Sequence, residues 1–188
     1  MEMERQIRVA TKADAQGILA IYAPIVQETV ISFEMEPPSI EEMEWRIDST
    51  LAQYPWLVCV EGERVLGYVY GSQFRARTAY QWSVEVTVYV HPDVHGQGVG
   101  KRLYHALFDI LRQQGYVAVY AGVTLPNPAS VGIHESMGFL PVGAFPLAGF
   151  KFGGWRDVGF WYMLLNEPTA TPTPPIPFPQ ILERVGVI

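Results

Sequence analysis

Apolar positions change period several times along this chain, and each change marks an element. Ile18, Leu19, Tyr22 and Ile25 recur at helical spacing behind Thr11, which has Asp14 three residues on in the manner of a capping box. The spacing predicts a helix there after a short strand at 7–10, with Pro24 kinking or restarting it. Ser39 with Glu42 opens a second helix to about residue 53, and its acidic first turn suits the positive end of a helix dipole. From Trp56 the period shortens to two. Residues 56–60 and 65–70, joined by a Glu-Gly-Glu-Arg turn, read as a hairpin, and 82–90 alternates cleanly as a strand.

A helix follows from about Gly98, with Leu103, Leu107, Ile110 and Leu111 on one face and Gly115 at the cap. Next come a strand at 116–123, a helix started by Asn127-Pro128 and closed by Gly138, and strands at 139–148 and 155–165. After Asn166 the chain turns to proline and threonine, which favours extended polyproline structure over packing; the apolar end at 181–188 reads as a segment that docks on a surface, a partner's included. These elements predict one mixed α/β (α+β) domain over 1–165 and a Pro-rich C-terminal tail over 166–188.

Composition supports one sizeable core: 188 residues, 49% of them hydrophobic and 13% aromatic. The net charge of −6 argues against broad binding to nucleic acid, which needs clustered Lys and Arg. Cys59 is the lone cysteine, so no intrachain disulfide forms and no zinc-type spacing exists; core packing outweighs a catalytic thiol. Residues 1–6 lack an apolar signal core and no segment is apolar enough to span a bilayer, so the expected location is cytoplasmic, with no membrane partner.

The candidate chemistry lies where the 82–90 strand breaks at His91-Pro92 and passes through alternating glycines, His95-Gly-Gln-Gly98-Val-Gly100, into a helix. A helix's first turn has N–H groups without intrahelical partners, and glycines let backbone approach an anion. A nucleotide P-loop needs a hydroxyl after Gly-Lys, but Arg102 follows Lys101. A dinucleotide fold needs an acid about twenty residues on, where the chain has Gly115-Tyr-Val-Ala-Val119.

The same residues resemble the acyl-CoA pyrophosphate loop of the GCN5-related N-acetyltransferases (GNAT), with His95 in place of the usual Gln or Arg. The segment Asn127-Pro-Ala-Ser130-Val-Gly-Ile-His134-Glu-Ser-Met-Gly138-Phe139 resembles the family's later helix, with His134 at a position that is commonly tyrosine. Glu36-Pro37, Arg75-Ala-Arg77, Trp82-Ser-Val-Glu85 and Gly153-Gly154-Trp155 narrow the resemblance to the phosphinothricin and methionine sulfoximine acetyltransferase branch, over about 7–165.

The resemblance implies a mixed, mostly antiparallel sheet of about seven strands with about four helices. It also implies acetyl-CoA as cosubstrate with no metal, a homodimer, and transfer to the α-amine of a small amino-acid analogue. Glu85 becomes the candidate general base; by itself, a mid-strand glutamate reads equally as a carboxylate on a solvated sheet face. His134 becomes the candidate acid for the departing thiolate, or a packing histidine. Backbone of Val88, Tyr89 and Val90 is expected along the pantetheine arm. His95, Gly96, Gln97, Gly98, Val99, Gly100 and Lys101 are expected at the pyrophosphate, with Asn127 and Ser130 beside the CoA arm. Arg75, Ala76, Arg77 and Tyr80, with Phe33, Val86 and Thr87, are expected around the amine substrate, and Lys151, Trp155 and Asp157 close that pocket from the last hairpin. The alternatives are acetylation of another amine, such as an amino acid, polyamine or protein N-terminus, or a CoA-binding sensor without turnover.

Overall fold

Alternating β-branched and aromatic residues build seven strands into one sheet. The computed structural model describes residues 4–185, so 1–3 of the N-terminal stretch and 186–188 of the apolar end lie outside the described residues. The order is β1 (Arg5–Val9), a 3-10 turn (Lys12–Asp14), α1 (Ala15–Glu28), α2 (Ile40–Leu51), β2 (Trp56–Glu61), β3 (Arg64–Gln73), β4 (Ser83–Val90), α3 (Val99–Gln114), β5 (Ala118–Leu125), α4 (Pro128–Ser136), β6 (Leu140–Lys151), β7 (Gly154–Leu164) and α5 (Phe178–Val185). The strands lie in the order β1-β2-β3-β4-β5-β7-β6. Only β4 and β5 are parallel; the other neighbours are antiparallel, as the family resemblance implies.

Period-two alternation decides which face each strand residue covers. Val84 and Val86 of β4 and Val119, Ala121 and Val123 of β5 pack with Leu103, Leu107 and Leu111 of α3. On the opposite face Trp56, Val58 and Tyr68 pack against Ile18, Ile21 and Val26 of α1 and Met43 and Ile47 of α2. Cys59 is fully buried, and burial raises its thiol pKa, which fits core packing.

The expected helix signals operate. Asp14 accepts from Thr11 N at 2.8 Å and takes both guanidinium branches of Arg8 at 2.7 Å, fixing the entry to α1. The Ser39 hydroxyl caps α2 by accepting from Glu42 N at 3.1 Å. Pro24 does not restart α1, which runs unbroken to Glu28; the helix loses one backbone donor there.

The tail differs from its composition. Residues 172–177 form no regular element, but Ile176 N donates to Gln114 O at 2.8 Å and Phe178 N to Gln53 O at 3.1 Å. The Gln114 amide, almost fully buried, donates to the Gln53 and Ile176 carbonyls, both at 2.8 Å. Phe178 and Ile181 of α5 then enter the α3-side core with Leu182 beside them, so the start of the apolar end docks on its own chain. Proline content argues against regular hydrogen bonding within a segment, not against apolar side chains between the prolines finding a core.

Phe178→Ala should therefore cost about 3–5 kcal/mol of unfolding free energy in urea titration. A change below about 0.5 kcal/mol, the surface range, would show the tail to be loosely attached.

Candidate active site

The site begins where two parallel strands part. β4 and β5 pair only at Ser83↔Ala118, Val84↔Val119 and Glu85↔Tyr120, whereas β5 pairs with β7 along its full length. Beyond Glu85, β4 is bonded to β3 alone. Val86 to Val90 thus present an unpaired strand edge toward a wedge between β4 and β5, the geometry for an extended guest held by main-chain bonds. Part of that edge is already used, since the His95 ring donates from Nε2 to Val90 O at 2.9 Å.

At the open end of the wedge the glycine loop enters α3. Gly96 and Gly98 have φ of +75° and +79°, and a Cβ on either would meet nothing within 4 Å, so the loop presents bare backbone to open space. Gly98 is the N-cap, and the first helical bond runs from Arg102 N to Gly98 O at 3.1 Å. The N–H groups of Val99, Gly100 and Lys101 therefore have no intrahelical acceptor and suit a diphosphate. A Cβ on Gly100 would stand 2.7 Å from Ile133 Cδ1, so its absence lets α3 approach α4. The Gln97 side chain is committed to the loop itself: its amide donates to Asp93 O at 3.1 Å and its oxygen accepts from Arg5 at 2.7 Å. Asn127 caps α4 by accepting from Ser130 N at 3.1 Å.

Glu85 lies at the apex of the wedge, half-buried, on the face of α1 and α2. Its Oε1 comes within 3.6 Å of where a Cβ on Gly122 would stand. Burial raises its carboxyl pKa above the ordinary value, and the charge of Arg75 partly opposes this. Arg75 lies over the Phe74 ring, which stacks on Tyr120 at 4.2 Å and meets Tyr80 edge-on at 6.0 Å. Arg75, Tyr80 and Glu85 are therefore brought together through Phe74 and Tyr120. Ala76 and Arg77 are exposed in the same loop, Val86 faces the α3 core, and Thr87 lies across from Tyr70.

Two expected residues are placed differently. His134 is 4% exposed; its Nδ1 is 2.7 Å from Ser130 O, an acceptor only, so Nδ1 carries the proton. Its Nε2 then accepts from the Tyr104 hydroxyl at 2.8 Å, and burial depresses its pKa. Nε2 thus ties α4 to α3 while Nδ1 bonds back within α4, so both nitrogens are occupied and no proton is directed toward the wedge. Lys151 is 1% exposed, and its ammonium donates to Val26 O at 2.6 Å and Ser32 O at 2.8 Å rather than facing a pocket. Trp155 is exposed on the hairpin, and Asp157 accepts from Leu147 N at 2.8 Å within it.

Sequence reasoning missed Tyr120 and Gly122. Gly122 carried a signal: a glycine inside a strand pattern marks a close approach, and here it gives room to Glu85. It also missed a cavity of about 120 Å³ lined by Tyr22, Met43, Arg46, Thr50, Trp56, Tyr68 and Tyr70, which lies along the same sheet face beyond Thr87. No cluster of metal-binding side chains occurs among the described residues, and no helix among them is long and apolar enough to cross a membrane.

Residues 7–159 match the profile of the acetyltransferase (GNAT) domain family. The chain is 39% identical to a phosphinothricin N-acetyltransferase of Streptomyces viridochromogenes, over 94% of this chain and 96% of that one. It is 34% identical to an L-methionine sulfoximine/L-methionine sulfone acetyltransferase of Salmonella typhimurium, over 87% and 96% respectively. It superposes with a TM-score of 0.85 on the crystal structure of a GNAT-superfamily phosphinothricin acetyltransferase from Sinorhizobium meliloti in complex with acetyl-CoA. That pair is 37% identical, with 91% of this chain and 94% of that chain covered.

The His134 arrangement generates a stability prediction. Its folded pKa lies below the ordinary 6.5, so on acidification the unfolded chain takes up the proton first. This contribution to stability is complete above that value and is lost as pH falls through the depressed folded pKa. Urea midpoints from about pH 8 to about pH 5.5 should fall more steeply in the native protein than in His134→Gln, which cannot titrate. Parallel declines would show that the ring does not contribute.

Proposed function

This chain belongs to the GNAT N-acetyltransferase family, in its phosphinothricin and methionine sulfoximine branch, and we propose that it acetylates the α-amine of small amino-acid analogues of that type, with Glu85 as general base. Acetyl-CoA is the acyl donor. The observation that carries the reading is a half-buried carboxylate of raised pKa at the apex of the strand wedge, with the bare backbone of the glycine loop at its open end.

The amine arrives as an ammonium and must lose a proton before its lone pair can attack. Glu85, directly or through one water, takes that proton, and its raised pKa lets it hold it better than an exposed carboxylate would. The nitrogen then bonds to the thioester carbonyl carbon, the carbon–sulfur bond breaks, and CoA leaves as a thiolate that takes up the second proton shed by the nitrogen as it becomes an amide. Backbone N–H groups of the β4 edge supply polarisation to the carbonyl. Arg75 and Arg77 favour the oxygens of a carboxylate, phosphinate or sulfoximine and disfavour a polyamine. His134 enters as a positioning residue rather than an acid, because its proton is held by Ser130 O. Such an activity is detoxifying, and we assign it to the cytoplasm.

We also propose a homodimer formed through β6. This edge strand exposes Leu140, Val142, Phe145, Leu147 and Phe150, each more than half accessible, and Trp155 lies beside them on the hairpin. An apolar edge with an open backbone ladder is a surface that natural proteins cover. Val142→Glu should convert the protein to a monomer by sedimentation; a native protein that already sediments as a monomer would end this part of the proposal.

The decisive assay is CoA thiol release with L-phosphinothricin, L-methionine sulfoximine, ordinary amino acids and spermidine. Turnover is expected with the first two, and Glu85→Gln should lower it by about 10²–10⁴-fold while acetyl-CoA still binds. Full activity in that variant would remove the base. Because the base works deprotonated, kcat/KM should fall as pH drops through the raised Glu85 value. Arg75→Gln, by removing the cation that opposes the shift, should move that acidic limb upward.

A further inference from the structure

The loop between α1 and α2, residues 29–39, crosses the same sheet face as Glu85 and is held at several points. The Ile31 carbonyl lies 3.4 Å from the Thr124 hydroxyl, which donates to it from the strand face that also carries Gly122. The Ser32 hydroxyl is 2.8 Å from the Tyr22 hydroxyl and accepts from Glu34 N at 3.2 Å. Glu34 accepts from Arg46 of α2 at 2.7 Å. Between these ties Phe33 lies against β6, its ring 2.4 Å from where a Cβ on Gly149 would stand, so only a glycine there admits the ring at this position.

The central tie is the ammonium of Lys151. A buried cation is costly unless its protons are received, and here two carbonyls receive them, with the Phe152 ring 5.1 Å away. Val26 O belongs to the last turn of α1, where carbonyls lack intrahelical donors and a cation is favoured by the helix dipole. Ser32 O is the peptide just before Phe33. One side chain from the last hairpin thus fastens the end of α1 and the segment beside Glu85's face.

We propose that Lys151 is a positioning residue that pins the loop at 29–39 and so fixes Phe33 on the amine side of the active site. This rests on the acetyltransferase reading above. Lys151 does not touch the amine; it acts through Ser32 and Phe33, and the acetyl-CoA side, built from the loop at 96–101 and the β4 edge, is independent of it.

Two variants and two readouts test this. Lys151→Met keeps the apolar stem and removes the donors; Gly149→Ala leaves Lys151 intact and displaces the Phe33 ring by a Cβ clash. In Lys151→Met, hydrogen exchange at the amides of 31–34 should accelerate while that at 96–102 stays unchanged. With the best amine of the panel, both variants should raise the amine KM by about tenfold and leave the acetyl-CoA KM within about twofold. Unchanged exchange at 31–34, or a joint rise of both KM values, would overturn the proposal. Should Lys151→Met fail to fold, the KM split in Gly149→Ala decides whether the position of Phe33 controls the amine. Silence of the native enzyme on every amine would count against the functional reading, whereas the exchange comparison still decides the pinning.

Discussion

The parting of β4 and β5 is the constraint on which the other features depend. Parallel strands that stayed paired would bury the β4 edge, and no extended guest could add to it. Pairing stops after Glu85↔Tyr120, and three consequences follow from that single termination. The main chain beyond Glu85 is left with one partner, the helices that follow the two strands are free to converge, and a carboxylate ends at the apex.

Holding the wedge open requires both strands to be anchored on their outer sides. β4 is bonded along its length to β3, and β5 to β7, so each is fixed without the other. The two helices that follow are joined by packing and polarity together. Gly100 of α3 lies against Ile133 of α4, and Tyr104 of α3 donates to His134, which in turn donates to Ser130 O. A neutral, doubly bonded histidine suits this linking task because it is satisfied at both nitrogens without a charge to solvate. The same satisfaction makes it a poor proton donor.

On the other face, polar ties gather around one loop. Lys151, Thr124, Tyr22 and Arg46 come from four different elements and meet at residues 31–34. Loops that carry specificity are usually the mobile part of a fold; this one is fastened at intervals. The exposed β6 hairpin that supplies Lys151 is also the apolar edge, so a partner bound there would lie close to the loop's anchor.

The sequence by itself determined the elements and the chemistry that is local. Period-two alternation in 82–90 placed Glu85 opposite the valine face, and the spacing of His95 to Gly100 gave a helix N-terminus with bare backbone, because both depend on neighbours within a few residues. The caps at Ser39 and Asn127 were legible for the same reason. What only the tertiary structure decided were contacts made across long separations. Lys151 reads as a residue that closes the amine pocket from the last hairpin until the carbonyls of Val26 and Ser32, well over a hundred residues away, are found to take its protons. His134 reads equally as an acid or a packing histidine until Tyr104 is found at its second nitrogen, and the Pro-rich tail reads as unpacked until Phe178 finds the α3 core. Local pattern records period and capping; it does not record which distant carbonyl or cavity will satisfy a buried polar group or an apolar ring, and that satisfaction decided where these side chains lie.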